Sequence, residues 1–167
     1  SHTDFAQKGW WKDGKSPDLF VSLSSSWKED LCPITTCRIP EQPPWYGVPM
    51  IDVSWNDGMG CPEGFIGWLV ETILSYIHQG KIVEIGCFGG HGRTGTLLAL
   101  LLGQEEKLQP KRAIEKVRKR YCKEAVESES QVKQIYRFLG STDKEAEKDW
   151  DFTWRYLPIV GDPWWEY

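Results

Sequence analysis

The stretch IGCFGGHGRTGTLLALLL, residues 85–102, limits the fold of this chain more tightly than any other. A short strand, KIVEIG at 81–86, runs into a turn rich in glycine, and a helix read from Thr94 to Leu102 leaves it. That helix is apolar nearly all round, so it must be buried. A strand feeding directly into a buried helix belongs to a layered α/β domain. Glycines at the join let the backbone take conformations closed to other residues and approach a ligand closely.

The flanking sequence repeats the same alternation. LFVSLSS (19–25) and VPMIDVSW (48–55) read as strands, the second with Ile51, Val53 and Trp55 on one face. Between them lies a proline-rich loop, 38–47. Pro62 suits the first position of a helix, along which Phe65, Ile66, Leu69, Ile73, Tyr76 and Ile77 recur at helical spacing until Gly80. Pro110 opens another, with Ala113, Ile114, Val117 and Tyr121 inward and basic residues outward. A last helix starts at Ser128, where Ser-x-x-Gln forms a capping box, and carries Val132, Ile135, Tyr136 and Leu139. The expected architecture is an α/β domain with a central, mostly parallel sheet flanked by helices on both faces. At 167 residues the chain reads as a single domain, 1–167, with its core in 19–140. Residues 1–18 read as an irregular entry segment, whose Ser1-His2 suits an expression remnant. Residues 141–167 form an acidic segment rich in tryptophan, expected to fold back over the domain, with a partner-binding or lid segment as the alternative.

Composition narrows the function classes. A net charge of -4 supplies no global attraction to nucleic acid or acidic membranes. Basic side chains nonetheless concentrate at 111–123, which hold seven of the twenty Lys and Arg. No run approaches the ~18 apolar residues of a membrane span, and no secretory signal is visible, so a cytoplasmic address is expected. Five cysteines without a C-x-x-C pair argue against both a zinc site and a disulfide framework.

A glycine turn between a strand and a helix N-terminus is a nest for an anion, because unpaired N–H groups converge there and the helix dipole adds positive charge. A nucleotide-binding loop, G-x-x-x-x-G-K-[ST], is excluded: Cys87 stands where its first glycine belongs, and Arg93 where its lysine belongs. The spacing instead matches a loop that does covalent chemistry. With Cys87 at its floor and Arg93 six positions on, N–H groups from Phe88, Gly89, Gly90, His91, Gly92 and Arg93 can surround one phosphoryl group. The guanidinium grips two of its oxygens. The same field favours a Cys87 thiolate, since a helix N-terminus lowers a thiol pKa from ~8.5 to about 3.5–7.5. Thr94 is placed to donate its hydroxyl to the sulfur.

CFGGHGRTGT resembles the signature loop of the cysteine-dependent protein tyrosine phosphatase superfamily, and the chain length resembles its compact dual-specificity branch. The resemblance spans about residues 19–140. It implies a phosphomonoester hydrolase working through a phospho-cysteine, with neither metal nor cofactor. Its substrate would be a phosphorylated one, a phosphoprotein first, with RNA 5′ ends or inositol phosphates as alternatives. A catalytically silent phosphate-binding module is the rival from another class. SWNDGMGCP is similar to the family's Trp-Pro-Asp loop, with Asn56 replacing proline, and makes Asp57 the general acid in preference to Asp52. Gln131 matches a water-positioning glutamine, though the capping box accounts for it equally well. Gly86 replaces the family's usual histidine before the cysteine. A side chain at His91 can face the pocket mouth and meet a second phosphate, or serve as a spacer directed to solvent. Cys61 or Cys122 is a candidate for a protective disulfide with Cys87.

Overall fold

The computed structural model describes residues 17–23, 37–38, 48–61 and 63–150. The entry segment, most of the proline-rich loop, Pro62 and the tryptophan-rich end beyond Trp150 lie outside the described residues. Among the described residues the chain runs β1 (Leu19–Ser22), β2 (Cys37–Arg38), β3 (Met50–Val53), α1 (Glu63–His78), β4 (Val83–Gly86), α2 (Gly92–Glu106), α3 (Pro110–Arg120), α4 (Glu129–Phe138) and α5 (Asp143–Asp149).

The sheet order is β2-β3-β1-β4. β1 pairs in parallel with both β3 and β4, in registers that set Val21 beside Ile51 and Ile85. β2 is an antiparallel edge strand, with Cys37 opposite Val53. The mostly parallel α/β sheet is therefore as expected. Its strands are shorter than the apolar runs suggested, because β1 and β3 leave the ladder at Ser22 and Val53, where the chain turns toward the site. A parallel strand needs a crossover, and α1 supplies it between β3 and β4, burying Ile66, Leu69, Val70 and Ile73.

Helix α2 is the centre of the domain. Leu97, Ala99 and Leu100 have no solvent exposure, and α1, α3 and α4 all pack on it. It begins two residues earlier and ends four residues later than its apolar run, closing on Lys107 in the left-handed region (φ 52°). Small residues let neighbours approach: a Cβ at Gly95 would lie 2.6 Å from the Cβ of Ala125. One at Gly103 would lie 2.4 Å from a Leu139 methyl.

Some expectations are corrected and others extended. Tyr121 and Ile77, read as inward, are exposed, because each lies at the end of its helix where the apolar stripe has rotated off the core. β2 was read as loop; two residues are too few to show periodicity. The 141–167 segment contains helix α5, opened by a full capping box of Thr142 and Glu145 and anchored by buried Ala146. The Ser128 box is only half formed. Ser128 Oγ accepts the Gln131 N–H, but the Gln131 side chain accepts from Glu127 N–H instead of returning to Ser128.

Candidate active site

The carboxyl ends of β1, β3 and β4 lie side by side, and the residues just past them meet at the N-terminus of α2. This is the crevice of a parallel sheet in which ligands bind. Cys87 directly follows β4 and is 2% exposed. Gly90 N–H donates to its Sγ at 3.2 Å, while the carbonyl of the same glycine accepts from the Tyr121 hydroxyl at 2.7 Å. Gly90 has φ +80°, which a side chain would resist, and it is held at both ends. Burial raises the Tyr121 hydroxyl pKa, with further contributions from the charges of Cys87 and Cys122, so that it stays a donor.

Arg93 is 7% exposed and ties the crevice together. Its Nη1 donates to the carbonyls of Leu23, 3.1 Å, and Trp55, 2.8 Å, just beyond β1 and β3. Its Nη2 lies 3.2 Å from Asp57 Oδ1. The remaining nitrogen, Nε, is buried without a partner among the described residues, as are Thr94 Oγ1 and Gln131 Nε2. The Gln131 nitrogen belongs to the same neighbourhood: a Cβ built on Gly92 would stand 2.8 Å from it. Leaving a polar group buried and unpaired costs about 1–3 kcal/mol. Three such atoms around one helix N-terminus, beside a thiol, are suited to an oxyanion.

Asp57 projects from the loop after β3, with its side chain 80% exposed apart from the arginine contact. The loop itself is held firmly. Trp55 is buried and donates Nε1–H to the Met59 carbonyl at 2.7 Å. Gly58 takes φ +67° and its carbonyl accepts from Ser128 Oγ at 2.5 Å. Gly60 N–H donates to Ser130 Oγ at 2.9 Å. Cys61 N–H donates to Gln134 Oε1 at 2.7 Å, and Gln134 Nε2 returns a bond to the Cys61 carbonyl. The first turns of α4 thus hold the loop from Gly58 to Cys61. Asp52, the competing carboxylate, lies within β3 in register with Ser22 and Arg38.

The structure brings Asp57 to Arg93, with Cys87 and Thr94 buried at the two ends of the loop that leads into α2 and Phe88 and Gly89 exposed. His91 is placed differently from the expectation. Its Nδ1 lies 2.9 Å from Cys122 Sγ, and its carbonyl accepts from Gly95 and Val126. The basic residues of α3 are largely engaged at home: Lys111 with Asp149, Arg112 with Glu115, Lys116 with Glu106. Arg118 donates to the carbonyls of Ala125 and Val126, and burial brings its pKa down to about 10. Sequence reasoning missed Tyr121, Ser130 and Gln134 as site-holding residues, because their partners lie 31 to 73 positions away.

No protein-family model matches the chain. Over 120 residues it is 36% identical to the uncharacterized protein MJ0215 of Methanocaldococcus jannaschii, a match covering 72% of this chain and 69% of that one. Tk-PTP in its active form superposes with a TM-score of 0.63 at 20% identity, over 83% of this chain and 86% of that one. PTPMT1 in complex with PI(5)P gives 0.62 at 21% identity, over 87% and 86%. The chain belongs to one family with MJ0215, and its fold is that of the cysteine-dependent protein tyrosine phosphatase superfamily.

Proposed function

We propose that this chain is a cysteine-dependent phosphomonoester hydrolase of the dual-specificity type, acting on phosphoproteins through a phospho-cysteine. The observation that carries the reading is the division of labour on Arg93. Nη1 is committed to the carbonyls of Leu23 and Trp55, so Nε and Nη2 form the guanidinium edge left for a ligand. That edge fits two oxygens of one phosphoryl group, and Asp57 already stands on it.

In the first step Cys87 Sγ, as thiolate, attacks phosphorus. The bond from phosphorus to the leaving oxygen breaks, and the proton of Asp57 passes to that oxygen. Arg93 and the loop N–H groups from Phe88 to Arg93 take the charge spread over the phosphoryl oxygens. In the second step water attacks phosphorus, Asp57 accepts its proton, and the sulfur–phosphorus bond breaks to return the thiolate and free phosphate. Thr94 Oγ–H donates to the departing sulfur. Gln131 Nε2, buried beside Gly92, holds the water. A thiolate of this kind needs reducing surroundings, and we place the protein in the cytoplasm.

Hydrolysis of an aryl phosphate that is sensitive to vanadate and insensitive to EDTA is expected. Cys87→Ser abolishes turnover but retains oxyanion binding. Full activity in that variant would overturn the mechanism, and no hydrolysis by the wild type across about pH 5–8 would leave a phosphate-binding module. A panel of phosphopeptides, RNA 5′ ends and inositol phosphates assigns the substrate. The engagement of α3 basic residues by neighbouring acids favours the phosphopeptide over the polyanions.

A further inference from the structure

The outer side of the phosphate loop carries a second cluster. His91 Nδ1, Cys122 Sγ and a carboxylate oxygen of Glu124 all lie within 4.8 Å of one another, the one such group among the described residues. We propose that these three side chains are a binding site for a soft divalent cation, Zn²⁺, that braces the phosphate loop against the segment following α3.

The chemistry of the set is selective. Neutral imidazole, thiolate and carboxylate are zinc ligands, whereas Mg²⁺ and Ca²⁺ require oxygen donors. Three protein ligands leave one tetrahedral position for water. In a tetrahedron with Zn–N near 2.0 Å and Zn–S near 2.3 Å, nitrogen and sulfur stand about 3.5 Å apart. The present separation of 2.9 Å therefore opens by about 0.6 Å on binding, which side-chain rotation supplies. The thiol proton leaves to solvent, so the site of Zn²⁺, thiolate, carboxylate and imidazole is neutral overall.

The ligands are also held in advance. The His91 carbonyl accepts from Gly95 N–H at 3.0 Å and from Val126 N–H at 3.3 Å, fixing the loop to the segment that follows the site. Ala125 N–H donates to the Cys122 carbonyl at 3.0 Å, closing the turn that sets Glu124 beside Cys122. Tyr121 reaches the Gly90 carbonyl on the other side, and Arg118, next to Cys122, is occupied with Ala125 and Val126. A site whose ligands are already held by hydrogen bonds loses little order on binding. Three residues lie between Cys87 and His91, so the cation adds a strut to the loop through a side chain other than the nucleophile.

The proposal concerns metal binding and stands whether or not the hydrolase reading does. The test uses Co²⁺ as a spectroscopic probe on the reduced full chain carrying Cys87→Ser, which removes the loop thiol as a competing ligand. One equivalent of cobalt is expected to give a thiolate-to-metal charge-transfer band and tetrahedral d–d bands, both discharged by Zn²⁺. Adding Cys122→Ser removes the band, and Glu124→Gln, at an exposed position, weakens binding by about tenfold or more. Zinc should also raise the thermal midpoint of the Cys87→Ser protein and leave that of the Cys122→Ser double variant unchanged. A charge-transfer band that persists without Cys122, or an affinity indifferent to Glu124→Gln, overturns the site. If Cys122→Ser fails to fold, the Glu124→Gln affinity decides alone.

Discussion

Gln134→Met tests whether α4 holds the loop of Asp57, the proposed general acid. Gln134 and Cys61 are 5% and 4% exposed, and two hydrogen bonds join the amide to both backbone groups of Cys61. Methionine keeps the length and volume of the side chain but offers neither donor nor acceptor. Two buried backbone groups are then left unpaired, at about 1–3 kcal/mol each. The variant no longer desolvates the amide itself, which offsets part of that loss and leaves a destabilisation of about 2–4 kcal/mol. With a urea slope of about 2 kcal/mol per molar, the unfolding midpoint falls by about 1–2 M. Denaturation followed by tryptophan fluorescence reads this directly, because Trp55 sits in the same loop. A kinetic signature should accompany it. Asp57 precedes the clamped residues, so turnover of alkyl phosphates, which need protonation of the leaving oxygen, drops more than turnover of activated aryl phosphates. A midpoint shift under about 0.3 M, or equal losses on both substrates, would refute the clamp.

Asp57→Asn keeps the contact to Arg93 but cannot donate a proton, so kcat for an alkyl phosphate falls by about 10²–10⁴-fold, with a much smaller loss for p-nitrophenyl phosphate. Steady-state kinetics on the two substrates checks it. Gly90→Ala forces a side chain into φ +80° against the Tyr121 oxygen, costing about 1–2 kcal/mol, and vanadate affinity measured by inhibition should fall between about 5- and 30-fold. The Cys61 thiol pKa, 9.0 in the open chain, is pushed up to about 12 by burial. Its contribution to stability is complete below pH 9.0 and is lost as pH rises toward about 12; alkylation mapped by mass spectrometry should leave Cys61 unmodified in the native protein at pH 8 and modify it after unfolding.

What the sequence determined by itself is local. KIVEIG, the glycine turn and the leucine run encode a strand, a sharp reversal and a buried helix within about twenty residues, and the spacing of Cys87 to Arg93 follows from that short path. The α/β class follows too, since such a unit is stable only inside a layered sheet. Asp57 was legible because it sits two residues past a buried tryptophan in a recognisable loop. Tertiary structure alone decided which carbonyls Arg93 would hold, that Ser128, Ser130 and Gln134 would clamp the loop after β3, and that His91 would turn toward Cys122. These contacts join residues far apart in the chain, and no local pattern encodes a pairing between two loops. They depend on how α3 and α4 pack against α2, where Gly95 and Gly103 admit neighbours that a single methyl group would displace.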